Sequence, residues 1–272
     1  MYLGDADRKR LFITGDCHGD FRRFTKKQCR KSPLEIDEND YVIVCGDLGL
    51  IWRKDKTFEY NLDWLSRLRF TLLWVQGNHE NYDMIAEYPV EIWNGGKVRH
   101  IVQNKIILLE RGQVFTIGKH TFFTFGGASS HDVQGGILDA EDPCYDVLRV
   151  EAIRAGLPYR VIGKTWWKQE LPSEEEMQEG LANLKKVGYQ VDYVISHCAS
   201  NSIQDKLEIY YTGLGFSTNT YSTDVLTDYF EELEQKLQYK HWFCGHYHVD
   251  TCIDDKHTIL YEKIIPLQDF TE

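Results

Sequence analysis

Short, nearly continuous apolar runs punctuate the chain, and each ends at a small or polar residue followed by a side chain able to hold a metal. Leu11-Phe12-Ile13-Thr14 runs into Gly15-Asp16, and Tyr41-Val42-Ile43-Val44-Cys45 into Gly46-Asp47. Thr71-Leu72-Leu73-Trp74-Val75 leads through Gln76 to Gly77-Asn78-His79. Val191-Asp192-Tyr193-Val194-Ile195 ends at Ser196-His197, and His241-Trp242-Phe243-Cys244 at Gly245-His246. Runs of this length predict buried central strands. Helix-like stretches lie between several of them, at 58–68 and 173–186. The second opens on Ser173-Glu174-Glu175-Glu176, a capping-box pattern. Strands alternating with helices predict an α/β sheet whose ligands collect at the carboxyl ends of the strands.

The middle of the chain reads differently. Strand-like text at 98–102, 106–109, 113–117 and 120–125 predicts an antiparallel meander with turns at Gly112 and Gly118. A long irregular stretch follows from 126 to 172, carrying Gly135-Gly136, Pro143, Pro158 and Trp166-Trp167. A second insertion spans roughly 199–223. Loops this long are usually lids or mobile functional segments. With no internal repeat, low-complexity tract or linker, the reading is one domain over 1–272, with loop insertions near 128–172 and 199–223.

Composition narrows the classes. With 272 residues, 42% of them hydrophobic, the chain can bury a sizeable core. A formal net charge of −11 speaks against a surface for long nucleic acids. No apolar run reaches the length of a membrane span, and residues 1–10 are charged rather than signal-like. Seven cysteines without a CxxC pair suggest neither a disulfide framework nor a thiolate zinc site, so a reduced, cytoplasmic setting is expected.

At the strand ends stand Asp16, His18, Asp47, Asn78, His79, His197, His246 and His248: carboxylates, imidazoles and one amide, with no thiolate. Such donors suit manganese, iron or zinc. Seven donors and a spare histidine exceed the needs of one tetrahedral site but serve two ions sharing a carboxylate. Singly, each has an ordinary structural reading. Gly-Asp after a strand is a common turn, a lone histidine is more often hydrogen-bonded than ligating, and Gly77-Asn78-His79-Glu80 reads equally as a left-handed loop. All five closing an apolar strand is the joint signal that points to a metal centre.

Written out, Gly15-Asp16-Cys17-His18-Gly19, Gly46-Asp47, Gly77-Asn78-His79-Glu80, Ser196-His197 and Gly245-His246-Tyr247-His248 resemble the calcineurin-like metallophosphoesterase superfamily. The resemblance implies an α/β fold, a four-layer αββα sandwich with two mixed sheets and the site at one edge of them. It implies Asp16, His18 and His248 around one metal, Asn78, His197 and His246 around a second, and Asp47 bridging. It also implies His79 as the catalytic donor to a phosphoryl or leaving oxygen. The chemistry expected is that of a dinuclear phosphatase or phosphodiesterase, in which a water bridging two divalent ions (Mn, Fe or Zn) loses its proton and attacks phosphorus in line.

One departure stands out. Ser/Thr protein phosphatases of the superfamily continue the second motif as Gly-Asp-x-x-Asp-Arg-Gly, whereas Gly46-Asp47-Leu48-Gly49-Leu50-Ile51-Trp52 lacks both the later Asp and the Arg. Asp20, Glu80 and Asp83 remain as groups to orient His79. Residues 21–31 form a candidate basic helix with Arg22, Lys26 and Arg30 on one face; most such runs are solvated faces. Arg22 and Arg23 are nonetheless the candidates to meet a substrate phosphate. Asn81 is a candidate to line the pocket, and Trp166-Trp167 an aromatic wall, against buried lid packing as the alternative. Cys17, Cys45, Cys198 and Cys244 read as small apolar fillers beside the motifs. The function expected is hydrolysis of a small phosphorylated molecule, a nucleotide or a phosphodiester. Ser/Thr protein phosphatase-like activity and a non-catalytic scaffold of the same fold are the alternatives. No long nucleic acid and no membrane is expected as a partner, and the oligomeric state stays open.

Overall fold

Buried on both faces, the apolar runs become the central strands of two mixed sheets. The structure is a computed structural model that describes residues 10–29, 36–215 and 221–267. The first sheet contains β1 (Leu11–Thr14), β2 (Tyr41–Val44), β3 (Thr71–Trp74), β4 (Val90–Trp93), β5 (Gly96–Val102) and β6 (Ile106–Leu109). β7 (Gln113–Ile117) and β8 (His120–Phe125) begin the second, and β9 (Ile137–Leu138) and β10 (Arg160–Val161) form a small parallel pair apart from both. β11 (Tyr193–Ser196), β12 (His241–Cys244), β13 (Thr251–Asp254) and β14 (His257–Ile259) complete the second sheet, and β15 (Ile265–Pro266) returns to pair with β1. The orders are β15-β1-β2-β3-β6-β5-β4 and β13-β14-β12-β11-β8-β7.

Side chains alternate across each strand, so one strand feeds two cores. Ile13, Ile43 and Leu73 meet Phe122, Tyr193, Ile195 and Phe243 between the sheets. Their neighbours Phe12, Val42, Leu72 and Trp74 point outward, into the layer of α1 (Lys26–Cys29), α2 (Lys56–Ser66) and α3 (Tyr82–Ala86). α4 (Tyr145–Ala155) lies in the long connection between β9 and β10, while α5 (Glu174–Lys186), α6 (Asn201–Gly213) and α7 (Val225–Lys236) cover the far face of the second sheet. The result is a four-layer αββα sandwich. All seven cysteines are free thiols, and five are buried. Among the described residues, no helix is long and apolar enough to cross a membrane.

Several sequence expectations need correction. The predicted meander is split: β5 and β6 belong to the first sheet and β7 and β8 to the second, because the chain crosses between sheets at 110–112. Gly112 makes that crossing at φ +67°, where a Cβ would lie 2.8 Å from the Cα of Gly180. Period-two alternation marks a strand but not its sheet, so the switch left no trace in the pattern. The helix expected at 58–68 begins earlier, because the Asp55 side chain accepts hydrogen bonds from the amides of Thr57 and Phe58. The stretch at 126–172 is ordered by β9, α4 and β10 rather than irregular, and the insertion at 199–223 is chiefly α6; its residues 216–220 lie outside the described ones. The basic helix is a 3-10 turn at Arg22–Phe24 followed by the short α1; Arg30 and Lys31 lie outside the described residues.

The capping box is present. The Ser173 side chain accepts from the Glu176 amide (3.3 Å), and the Glu176 carboxylate accepts from the Ser173 amide (2.8 Å). Ser173→Ala is predicted to lower unfolding free energy by about 1 kcal/mol in urea titrations. A midpoint equal to that of the unaltered chain would contradict the assignment.

Candidate functional site

Parallel pairing fixes where the motifs go. β1, β2 and β3 run parallel in one sheet and β11 and β12 in the other, so the loops leaving their carboxyl ends share an edge. Room there is scarce. A Cβ on Gly77 would fall 2.0 Å from Asp47 Oδ1, and one on Gly245 would fall 2.2 Å from Asp16 Oδ1. Four candidate donors, His18, Asp47, His246 and His248, hold positive φ values between 47° and 69°. Such backbone costs about 1–3 kcal/mol per non-glycine residue and persists only where the surroundings impose it.

Asp16 and Asp47 anchor the cluster, at 0% and 1% exposure. One oxygen of each is fixed by an amide from another motif: His246 N–H donates to Asp16 Oδ1 (2.8 Å) and His79 N–H to Asp47 Oδ1 (2.7 Å). The second oxygens face the imidazoles. Asp16 Oδ2 has no hydrogen-bond partner and lies 3.2 Å from His248 Nε2 and 3.5 Å from His18 Nε2. Asp47 Oδ2 lies 3.5 Å from His197 Nε2 and 3.8 Å from His18 Nδ1. Burial works against both negative charges, yet the surrounding imidazoles, His197 foremost, hold both carboxyls well below the usual range.

His197 is oriented from behind. Its Nδ1–H donates to the Cys45 carbonyl (2.7 Å), which turns Nε2 toward Asp47 and toward Asn78 Oδ1 (3.1 Å). Burial disfavours charge on this ring, but Asp47 and Asp16 outweigh it and push its pKa up to about 9, so the pocket favours positive charge at that point. Asn78 donates through Nδ2 to Ser130 Oγ (3.3 Å), leaving its oxygen on the cluster side. The His246 ring stands 4.9 Å from that of His197 and 4.5 Å from that of His131. Three overlapping sets, Asp16/His18/His248, His18/Asp47/His79 and Asp16/Asp47/His197, bring their donor atoms within 4.8 Å of one another. An orphaned, fully buried carboxylate oxygen among nitrogen and oxygen donors fits a divalent cation.

His79 sits beside this cluster, its ring centroid 5.1 Å from that of His18. Burial pulls its pKa down to about 4; Asp47 opposes the shift and Arg160 adds to it. Asp20, Glu80 and Asp83 do not orient it. Asp20 pairs with Arg22, Glu80 Oε1 accepts from the Leu48 amide (3.0 Å), and Asp83 Oδ2 accepts from Trp167 Nε1 (2.7 Å). Instead, Arg160 Nη2 lies 3.0 Å from His79 Nδ1 and 3.1 Å from Nε2.

The residues expected to meet substrate each have partners within the chain. Arg22 is exposed and tied to Asp20, while Arg23 turns inward to Thr14 Oγ1 (2.9 Å) and the Asp16 carbonyl (2.6 Å). Asn81 caps α3 through the Met84 amide and donates to the Trp52 carbonyl (each 3.0 Å). Trp166 donates to Glu170 (2.6 Å), and Trp167 is buried edge-on against Trp52. The cleft that reaches His18 and His79, about 540 Å³, is walled by Gly49, Leu50, Trp52 and Phe58. Sequence reasoning missed Trp52, Ser130, Asp132, Arg160 and Glu170. Only Trp52, five residues after Asp47, carried a positional signal; the rest come from the long connection and depend on how it folds back.

That connection is pinned by Arg111 at the sheet crossing, which donates to the carbonyls of Gly126 (2.8 Å), Gln169 (2.7 Å) and Glu170 (3.1 Å). Glu170 in turn accepts from Ser130 N–H (3.1 Å) and Ser130 Oγ–H (2.7 Å), behind Asn78. Burial pushes the Glu170 pKa up to about 7, against its hydrogen bonds from Ser130 and Trp166. A carboxyl raised by folding binds its proton more tightly in the folded chain. Its contribution to stability is therefore complete below pH 4.5 and lost as pH rises through about 7. The unfolding free energy of the unaltered chain should fall relative to that of Glu170→Gln across this window in urea titrations. A difference that stayed flat or rose would contradict the account.

The profile of the calcineurin-like phosphoesterases matches residues 9–250. Among solved structures, the chain is similar to phosphopantetheinyl hydrolase (PptH) from Mycobacterium tuberculosis. The two are 17% identical, with a TM-score of 0.40, over 94% of this chain and 91% of that one. A search of curated proteins finds no match. The profile match spans most of the chain and takes in all five motifs: the protein belongs to the calcineurin-like phosphoesterase family.

Proposed function

We propose that the chain hydrolyses a phosphoester of a small phosphorylated molecule, a nucleotide or a phosphodiester, with two divalent ions as cofactors. The observation that carries this reading is the convergence of the donors from five strand ends beside His79. Asp16, His18 and His248 would hold one ion, Asn78, His197 and His246 the other, and Asp47 both. When bound, such ions activate a water and take up charge on the phosphoryl oxygens. The chain's own groups do the rest. Cys45 and Ser130 keep His197 and Asn78 turned toward the cluster, and His79 gives a hydrogen bond or proton to the leaving oxygen.

The cleft beside His79 supports a compact leaving group lying along Trp52 and Phe58. A net charge of −11 disfavours long polyanions. The second motif lacks the Asp and Arg of protein phosphatases, which supports a small ester over a phosphoprotein.

With Mn²⁺ added, the purified protein should turn over p-nitrophenyl phosphate or its bis ester. Asp47→Asn should lower the rate by about 100-fold or more, since even outer partners of metal ligands are worth 10- to 100-fold. Failure on both esters with every divalent metal tried, or activity untouched by Asp47→Asn, would remove the reading's support.

A further inference from the structure

We infer that the Asp132–Arg160 ion pair positions His79, with Arg160 as the residue that sets the ring's orientation. The inference deepens the proposed hydrolysis and rests on it for the meaning of His79. Among the described residues, Arg160 is the one side chain hydrogen-bonded to the His79 ring, through Nη2 at 3.0 and 3.1 Å from the two ring nitrogens.

Arg160 is itself immobilised. Its Nε and Nη2 fork onto Asp132 Oδ1 (2.8 Å) and Oδ2 (2.7 Å), and its Nη1 donates to the Thr165 carbonyl (2.8 Å). Only 6% of the residue is exposed. It opens β10, whose pairing with β9 fixes the backbone behind it. A bidentate guanidinium–carboxylate pair has one favoured geometry, so the donor that reaches His79 is held in direction as well as distance.

A guanidinium carries donors only. Nη2 lies almost equidistant from the two ring nitrogens, so the contact fixes where the ring sits and does not choose between its tautomers. One contact thus selects the rotamer of His79. The chain needs such a device because the second motif lacks a later Asp and because Asp20, Glu80 and Asp83 are bonded elsewhere. Asp132 and Arg160 both come from the connection between β8 and α5, so the long insertion supplies what the short motif lacks. A purely structural Arg160, tying the insertion together through Asp132 and Thr165, would leave the state of the ring unaffected.

Two readouts test this. In ¹H–¹³C spectra of the histidine-labelled, Zn²⁺-loaded protein, His79 should give one sharp Cε1–H signal, and Arg160→Met should broaden or split it as the ring samples more than one rotamer. In kinetics, Arg160→Met should lower kcat on phenyl phosphate by about 10- to 100-fold, and clearly less on p-nitrophenyl phosphate, whose better leaving oxygen depends less on a donor. KM should hold, and the loss should not multiply with that of His79→Asn. Asp132→Asn, at a half-exposed carboxylate, carries the same comparisons if Arg160→Met fails to fold. A single sharp His79 signal in Arg160→Met, equal losses on the two esters, or losses that multiply with His79→Asn would overturn the inference. Inactivity of the unaltered protein would count against the proposed hydrolysis alone, because the spectra still decide the role of Arg160.

Discussion

Two carboxylates, Asp16 and Asp47, are buried side by side at the edge where the two sheets meet. A buried charge costs several kcal/mol unless paired and hydrogen-bonded, and two like charges in one pocket cost more. Much of the local architecture answers that constraint. Amides from the third and fifth motifs fix one oxygen of each carboxylate, and imidazoles surround the others. Gly77 and Gly245 let their loops approach close enough to do so, and His18, Asp47, His246 and His248 accept left-handed backbone to aim their side chains. The same concentration of negative charge draws a cation, so a cost in folding becomes a site for chemistry.

The sandwich delivers this edge, and the connection from β8 to α5 finishes it. Arg111, at the crossing between sheets, clamps the far end of that connection. Glu170 then carries order to Ser130 and on to Asn78, while Arg160 reaches His79. Two residues of one motif, Asn78 and His79, are thus supported by a segment far from them in sequence. Variation in that segment offers a route to different substrates without touching the candidate metal donors.

How much was legible followed from physical range. The apolar runs gave strands because burial on both faces leaves a pattern within a few residues, and Ser173 with Glu176 gave a helix start for the same reason. The meeting of Asp16, Asp47 and His197 at one edge was legible because each closes such a run. The sheet switch at Gly112 was not, since alternation is identical in either sheet. Arg23 reads as a phosphate contact because it lies in a basic run beside the first motif, yet carbonyls after β1 draw its guanidinium inward. Arg160 and Glu170 were invisible because their importance lies in contacts across 81 and 40 positions of chain.

The central claim, that Asp47 joins two ions in one centre, is tested most directly by electron paramagnetic resonance of the Mn²⁺-saturated protein. The account predicts the signal of an exchange-coupled manganese pair, collapsing to that of isolated ions in Asp47→Asn. Isolated six-line manganese in the unaltered protein at saturation would contradict it.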